Sequence, residues 1–108
     1  MGASKLDLFD DKTVLFSGYA KCLAHPARVE IIKYLSLNGV STLKEFIQIT
    51  GLSQPSVSQH LQILDKHQML LITVDYNCNI YSLNPATVSN MKVSHDQFFD
   101  QFNFPKLR

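Results

Sequence analysis

A chain of 108 residues, 45% of them hydrophobic, has material for one core and too little for two ordinary domains. Ten Lys and Arg stand against nine Asp and Glu, a formal net charge of +1, so bulk charge is excluded as the main source of any nucleic-acid affinity. No run approaches the roughly 20 apolar residues of a membrane span. The opening Met1 to Asp7 lacks the basic and then apolar regions of a signal peptide, and Leu6 stands where a myristoylation signal needs Ser or Thr. A soluble, cytoplasmic protein without a lipid anchor is expected.

In chain order, Leu15, Tyr19, Cys22 and Leu23 recur at helical spacing and predict an amphipathic helix over about 11–24. His25-Pro26 interrupts it. Pro26 suits a first helical turn, and Val29, Ile32 and Leu35 predict a second helix that Asn38-Gly39 stops. In Thr42-Leu43-Lys44-Glu45 the hydroxyl and the carboxylate are spaced to satisfy each other's backbone amides. That capping box starts a third helix, with Leu43, Phe46 and Ile47 on its apolar side, ending at Gly51.

Ser53 can cap a fourth helix to about His67, with Pro55 in its first turn and Val57, Leu61 and Leu64 as its buried stripe. Two β-prone runs follow, Leu70 to Val74 and Ile80 to Leu83, separated by the polar Asp75 to Asn79; they predict a hairpin. From Pro85 a last helix carries Val88, Met91, Phe98 and Phe102 along one side, with Phe99 adding apolar surface, and the tail from Asn103 is expected to be loose. The fold expected is mainly α with a small β-hairpin wing: one domain over 1–108, a helix-turn-helix at about 42–67, a wing at about 70–83 and flanking helices at about 11–24 and 85–102.

The tight Thr50-Gly51-Leu52-Ser53 junction suits a first helix that braces across a DNA backbone while the next lies in the major groove. Opposite the Val57, Leu61 and Leu64 stripe stand Gln54, Ser56, Ser58, Gln59 and Gln62. Gln can engage adenine through two hydrogen bonds and Ser can reach several base edges, so this face has the chemistry of direct readout of double-stranded DNA. Lys44 and Lys66 could add phosphate contacts. A polar helix face is more often merely solvated; the ordered sequence of cap, glycine turn, polar helix and hairpin favours readout.

Three runs then carry a resemblance: Leu23-Ala24-His25-Pro26-Ala27-Arg28, Leu52-Ser53-Gln54-Pro55-Ser56-Val57-Ser58-Gln59-His60-Leu61, and Tyr81-Ser82-Leu83-Asn84-Pro85. In order and spacing they resemble the ArsR family of winged-helix repressors, from about Leu23 to Pro85. The resemblance implies a homodimer built mainly from the first and last helices, a palindromic promoter operator, and often an inducer that releases the protein from it. Met91, Phe98, Phe99 and Phe102 independently suggest partner burial, since they offer more apolar surface than a terminal helix on so small a core readily buries; the first helix, which the resemblance places in the dimer, adds Leu15 and Tyr19 as expected interface residues. The alternative is that these side chains fold back on their own subunit.

The chain also departs from the family. Ser41-Thr42-Leu43 replaces the Cys-x-Cys with which arsenic sensors capture a soft metal. His95 and Asp96 are adjacent and cannot share one helical face, so no metal and no cofactor are expected. His60 is expected to pack or hydrogen-bond, and metal ligation is the less favoured reading for His25, His67 and His95 as well. Cys22 reads as a buried structural thiol; Cys78, near the wing tip, has no resolving cysteine close in sequence. The wing tip reads Asp75-Tyr76-Asn77-Cys78-Asn79 where the family often carries Arg or Lys and a Gly, which leaves Asn77 and Asn79 as its candidate DNA contacts and predicts a weak phosphate grip. With Gln59 and Gln62 also standing where the family often has basic residues, modest affinity and a shallow salt dependence are expected. A winged-helix module that binds a protein partner with little DNA binding is the alternative function. An enzyme is not expected, because the polar residues line a convex face without a catalytic motif.

Overall fold

The computed structural model describes residues 5–102 and 104. The expectations for the opening segment and for the tail lie largely outside that range; within the tail only Phe104 is described, and it is exposed. After a single 3-10 turn at Lys5–Leu8 come α1 (Asp11–Cys22), α2 (Pro26–Asn38), α3 (Leu43–Thr50), α4 (Gln54–Lys66), β1 (Leu70–Asp75), β2 (Cys78–Leu83) and α5 (Pro85–Asp100). Five helices and a two-stranded antiparallel hairpin are the winged-helix architecture that the sequence predicts.

Caps define the helices. The Asp10 carboxylate accepts from the Thr13 amide at 2.8 Å, and the Asn84 side chain accepts from the Ala86 amide at 3.2 Å. At α3 the capping box is complete: Thr42 Oγ1 accepts from the Glu45 amide at 3.3 Å, and the Thr42 amide donates to Glu45 Oε1 at 3.2 Å. The Tyr34 hydroxyl donates to the other Glu45 oxygen at 2.8 Å, the first cause of a lowered Glu45 pKa. Gly51 closes α3 at φ 72°, a left-handed conformation that needs no side chain there.

The core gathers Cys22, Ile31, Leu35, Phe46, Val57, Leu64 and Met69, with Leu61, Leu70 and Tyr81 closing it. The stripe of α4 is buried as predicted. That of α2 is rotated: Ala27, Arg28, Ile31 and Leu35 face inward, and Val29 and Ile32 are only half-buried. The cause is an apolar girdle, since Val29, Ile31, Ile32, Leu35 and Leu37 leave period alone unable to choose a side. In α1 Tyr19 and Cys22 enter the core, but Leu15 and Leu23 stay exposed.

The hairpin pairs Leu70 with Leu83, Ile72 with Tyr81 and Val74 with Asn79. Ser41, just before α3, exchanges both backbone hydrogen bonds with Tyr81 at 2.9 Å, which ties the helix-turn-helix to the base of the wing. The expected five-residue polar loop shrinks to the two residues Tyr76 and Asn77, both at positive φ (48° and 63°), and Cys78 and Asn79 belong to β2. A two-residue turn with both φ positive matches the strands' own twist.

Candidate nucleic-acid interface

Ser53 accepts from the Ser56 amide at 3.4 Å and starts α4, and Pro55 occupies its first turn. With Val57, Leu61 and Leu64 turned into the core, Gln54, Gln59 and Gln62 are exposed and Ser56 and Ser58 half-buried. The Ser53 hydroxyl donates to Ser56 Oγ at 3.2 Å, leaving the Ser56 proton free to point outward. Thr50 Oγ1 donates to the Phe46 carbonyl at 2.8 Å and accepts from the Leu52 amide at 3.3 Å, which stiffens the turn.

The remaining candidates fall into two groups. Ser58 and Gln62 line one shallow cleft with Leu61, Asp65, Ile72 and Tyr81, so α4 and the wing form one continuous surface. Lys44, Asn77 and Asn79 come together elsewhere, around a groove between the start of α3 and the wing that also takes in Cys78. Lys66 is exposed in the last turn of α4, about 18 Å along the axis from Gln54 at the usual helical rise.

Of the expected interface residues, Tyr19 is buried within the protomer and Met91 half-buried against the core. Phe98 stacks on Phe16 at 4.4 Å, and the His95 ring meets Phe16 edge-on. Leu15, Phe99 and Phe102 remain exposed. Burial raises the pKa of the Cys22 thiol, with Arg28 pulling the other way; Cys78 is exposed.

Sequence reading missed one polar cluster. Arg28 is only 6% exposed and has no carboxylate partner among the described residues; its Nε donates to the Lys21 carbonyl at 3.0 Å, and its Nη1 lies 2.9 Å from His60 Nδ1. A guanidinium is always a donor, so Nδ1 of His60 accepts and the ring is neutral with its proton on Nε2. Burial, then His25, then Arg28 lower the His60 pKa. The His25 ring lies 4.3 Å from that of His60, while its Nδ1 accepts from the Ala27 amide at 3.0 Å and caps α2. The run from Leu23 to Arg28 signals this cluster, but nothing in it tells that Arg28 turns inward.

Residues 25–68 match the family model described as bacterial regulatory protein, arsR family. No curated protein sequence matches the chain significantly. Among solved structures, the transcriptional repressor PagR of Bacillus anthracis is 28% identical, with 75% of this chain and 93% of that one covered and a TM-score of 0.61. The transcriptional repressor BigR from Xylella fastidiosa is 20% identical over 94% of this chain and 100% of its own, with a TM-score of 0.63. A homodimeric winged helix-turn-helix DNA-binding domain from Mycobacterium bovis is 16% identical over 97% and 98%, with a TM-score of 0.66. The helix-turn-helix segment is thus similar to the arsR family of bacterial regulatory proteins, and the fold is that of the winged helix-turn-helix regulators.

Proposed function

We propose that the protein is a DNA-binding transcriptional regulator that acts as a homodimeric repressor on a palindromic operator. The observation that carries this reading is the exposed amide and hydroxyl row of α4, on a helix held by a glycine turn and continuous with the wing. Gln54, Gln59 and Gln62 meet base edges in the major groove, with Ser56 and Ser58 as shorter donors. Lys44, Asn77 and Asn79 meet the flanking backbone as one group, and Lys66 meets it separately.

The dimer reading rests on shape and exposed apolar surface. Leu15, Val93, Phe99 and Phe102 are each about half-exposed along α1 and α5, more apolar surface than a monomer leaves in water without a use. The radius of gyration of 16.5 Å exceeds the roughly 13 Å usual for a compact chain of this length. A second copy on α1 and α5 would cover that surface and present two α4 helices to a two-fold symmetric site.

The test is retention of the promoter fragment upstream of the protein's own gene in a gel shift with excess unrelated DNA. Specific retention is expected. No specific retention even at low salt, together with a stable complex with another protein, would favour the alternative of a protein-binding winged-helix module.

A further inference from the structure

The strut from the Lys21 carbonyl through Arg28 to His60 has a consequence for binding that rests on the DNA-binding reading. We infer that Arg28 and His60 are positioning residues that set the orientation of α4, and that DNA binding requires neutral His60. Three observations support it. Arg28 is buried with no counter-ion among the described residues, and its bonds to the Lys21 carbonyl (3.0 Å) and His60 Nδ1 (2.9 Å) hold it in place. His60 shares α4 with the readout side chains and directly follows Gln59. The bond spans 32 positions of sequence and joins α2 to α4 at a point the apolar stripe of α4 does not occupy.

That stripe sets which side of α4 faces the core; the strut adds a lateral contact beside it that fixes the orientation more finely. Protonation of His60 removes the Nδ1 acceptor and sets an imidazolium against the Arg28 guanidinium. Among the described residues the groups around His60 offer no compensating anion: Arg28 from α2 and His25 from the α1–α2 junction meet it directly, and behind Arg28 stand the Lys21 carbonyl and the buried Cys22 thiol. The core residues of α4 keep the helix folded while its reading face turns away from register.

The sign of the effect separates this device from ordinary electrostatics. Added positive charge on a recognition helix tightens DNA binding as pH falls. The strut predicts the opposite: between about pH 7.5 and about pH 5.5 the affinity falls, by up to about tenfold per pH unit below the His60 pKa. The experiment compares the wild type with His60→Asn, whose carbonyl can accept from Arg28 and cannot be protonated, using duplex DNA selected from a random library by the wild type at the higher pH. Circular dichroism at each pH checks that both are folded.

Falling wild-type affinity with a flat or rising profile for His60→Asn is the expected result. Wild-type affinity that is constant or rises on acidification overturns the inference, as does a parallel fall in both proteins. DNA-free wild type gives a second reading by nuclear magnetic resonance, which stands even if His60→Asn does not fold. His60 should carry its neutral proton on Nε2, and the Gln59 and Gln62 amide shifts should follow its titration; a proton on Nδ1 or static amides contradicts the strut. If no duplex is selected, the DNA-binding reading fails, and the amide shifts still decide the strut.

Discussion

A Cβ placed on Gly18 of α1 would lie 2.8 Å from Nδ1 and 2.9 Å from Cε1 of His67, the residue that caps the end of α4. Glycine in mid-helix costs about 1 kcal/mol relative to alanine, so this glycine marks a close approach. The contact falls on a half-buried ring whose Nε2 has no hydrogen-bond partner among the described residues. Overpacking of about 1–3 kcal/mol outweighs the gain in helix propensity. Gly18→Ala should therefore lower stability by about 1 kcal/mol in urea unfolding, and much of the loss should vanish when it is combined with His67→Ala. A stabilised Gly18→Ala protein would contradict the contact.

Stability should also depend on pH through the two shielded histidines. Burial is the first cause lowering the pKa of both His60 and His67; Lys66 and Lys21 add to it at His67. The folded state then binds these protons less readily than the unfolded chain, whose histidines titrate near 6.5. Stability is therefore full above about pH 6.5 and is lost as pH falls through that value toward the depressed folded ones. The urea midpoint should fall between about pH 7.5 and about pH 5.5, and less steeply in His67→Gln. An unchanged pH dependence in that variant would show that His67 is solvated.

At the wing, Tyr76 is 96% exposed and sits at φ 48°, where an aromatic side chain is disfavoured and Asn is tolerated. Tyr76→Asn should raise stability by about 0.5–1 kcal/mol, seen as a higher melting temperature. A loss of stability would mean that the tyrosine ring packs on the wing.

These three sites show where sequence reading stops. The α4 stripe was legible because Val57, Leu61 and Leu64 are its only strongly periodic apolar residues, and the α3 capping box because its chemistry is local. Leu15 and Phe102 fit helical stripes equally well, yet they stay exposed in the protomer; a period reports an apolar face and not what covers it. The wing turn was missed because Tyr76-Asn77 lacks the glycine that usually marks positive φ. Inward Arg28 was missed because a buried cation here depends on His60, 32 residues away.

The dimer proposal predicts that a charge in the exposed aromatic surface separates the subunits. Phe99→Asp should sediment as a monomer at concentrations where the wild type is a dimer, and it should lose cooperative binding to a two-fold DNA site. A wild-type monomer at those concentrations would overturn the proposal.

The proposed role of the α4 amides is to read base edges. Its most direct measurement is the affinity of Gln54→Ala/Gln59→Ala for the wild type's selected duplex, relative to unrelated DNA, with folding checked by circular dichroism. Each lost bidentate contact removes about 1–3 kcal/mol of discrimination. The double variant should keep its weak affinity for unrelated DNA and lose at least about tenfold of its specific affinity. Equal specific affinity in the two proteins would contradict it.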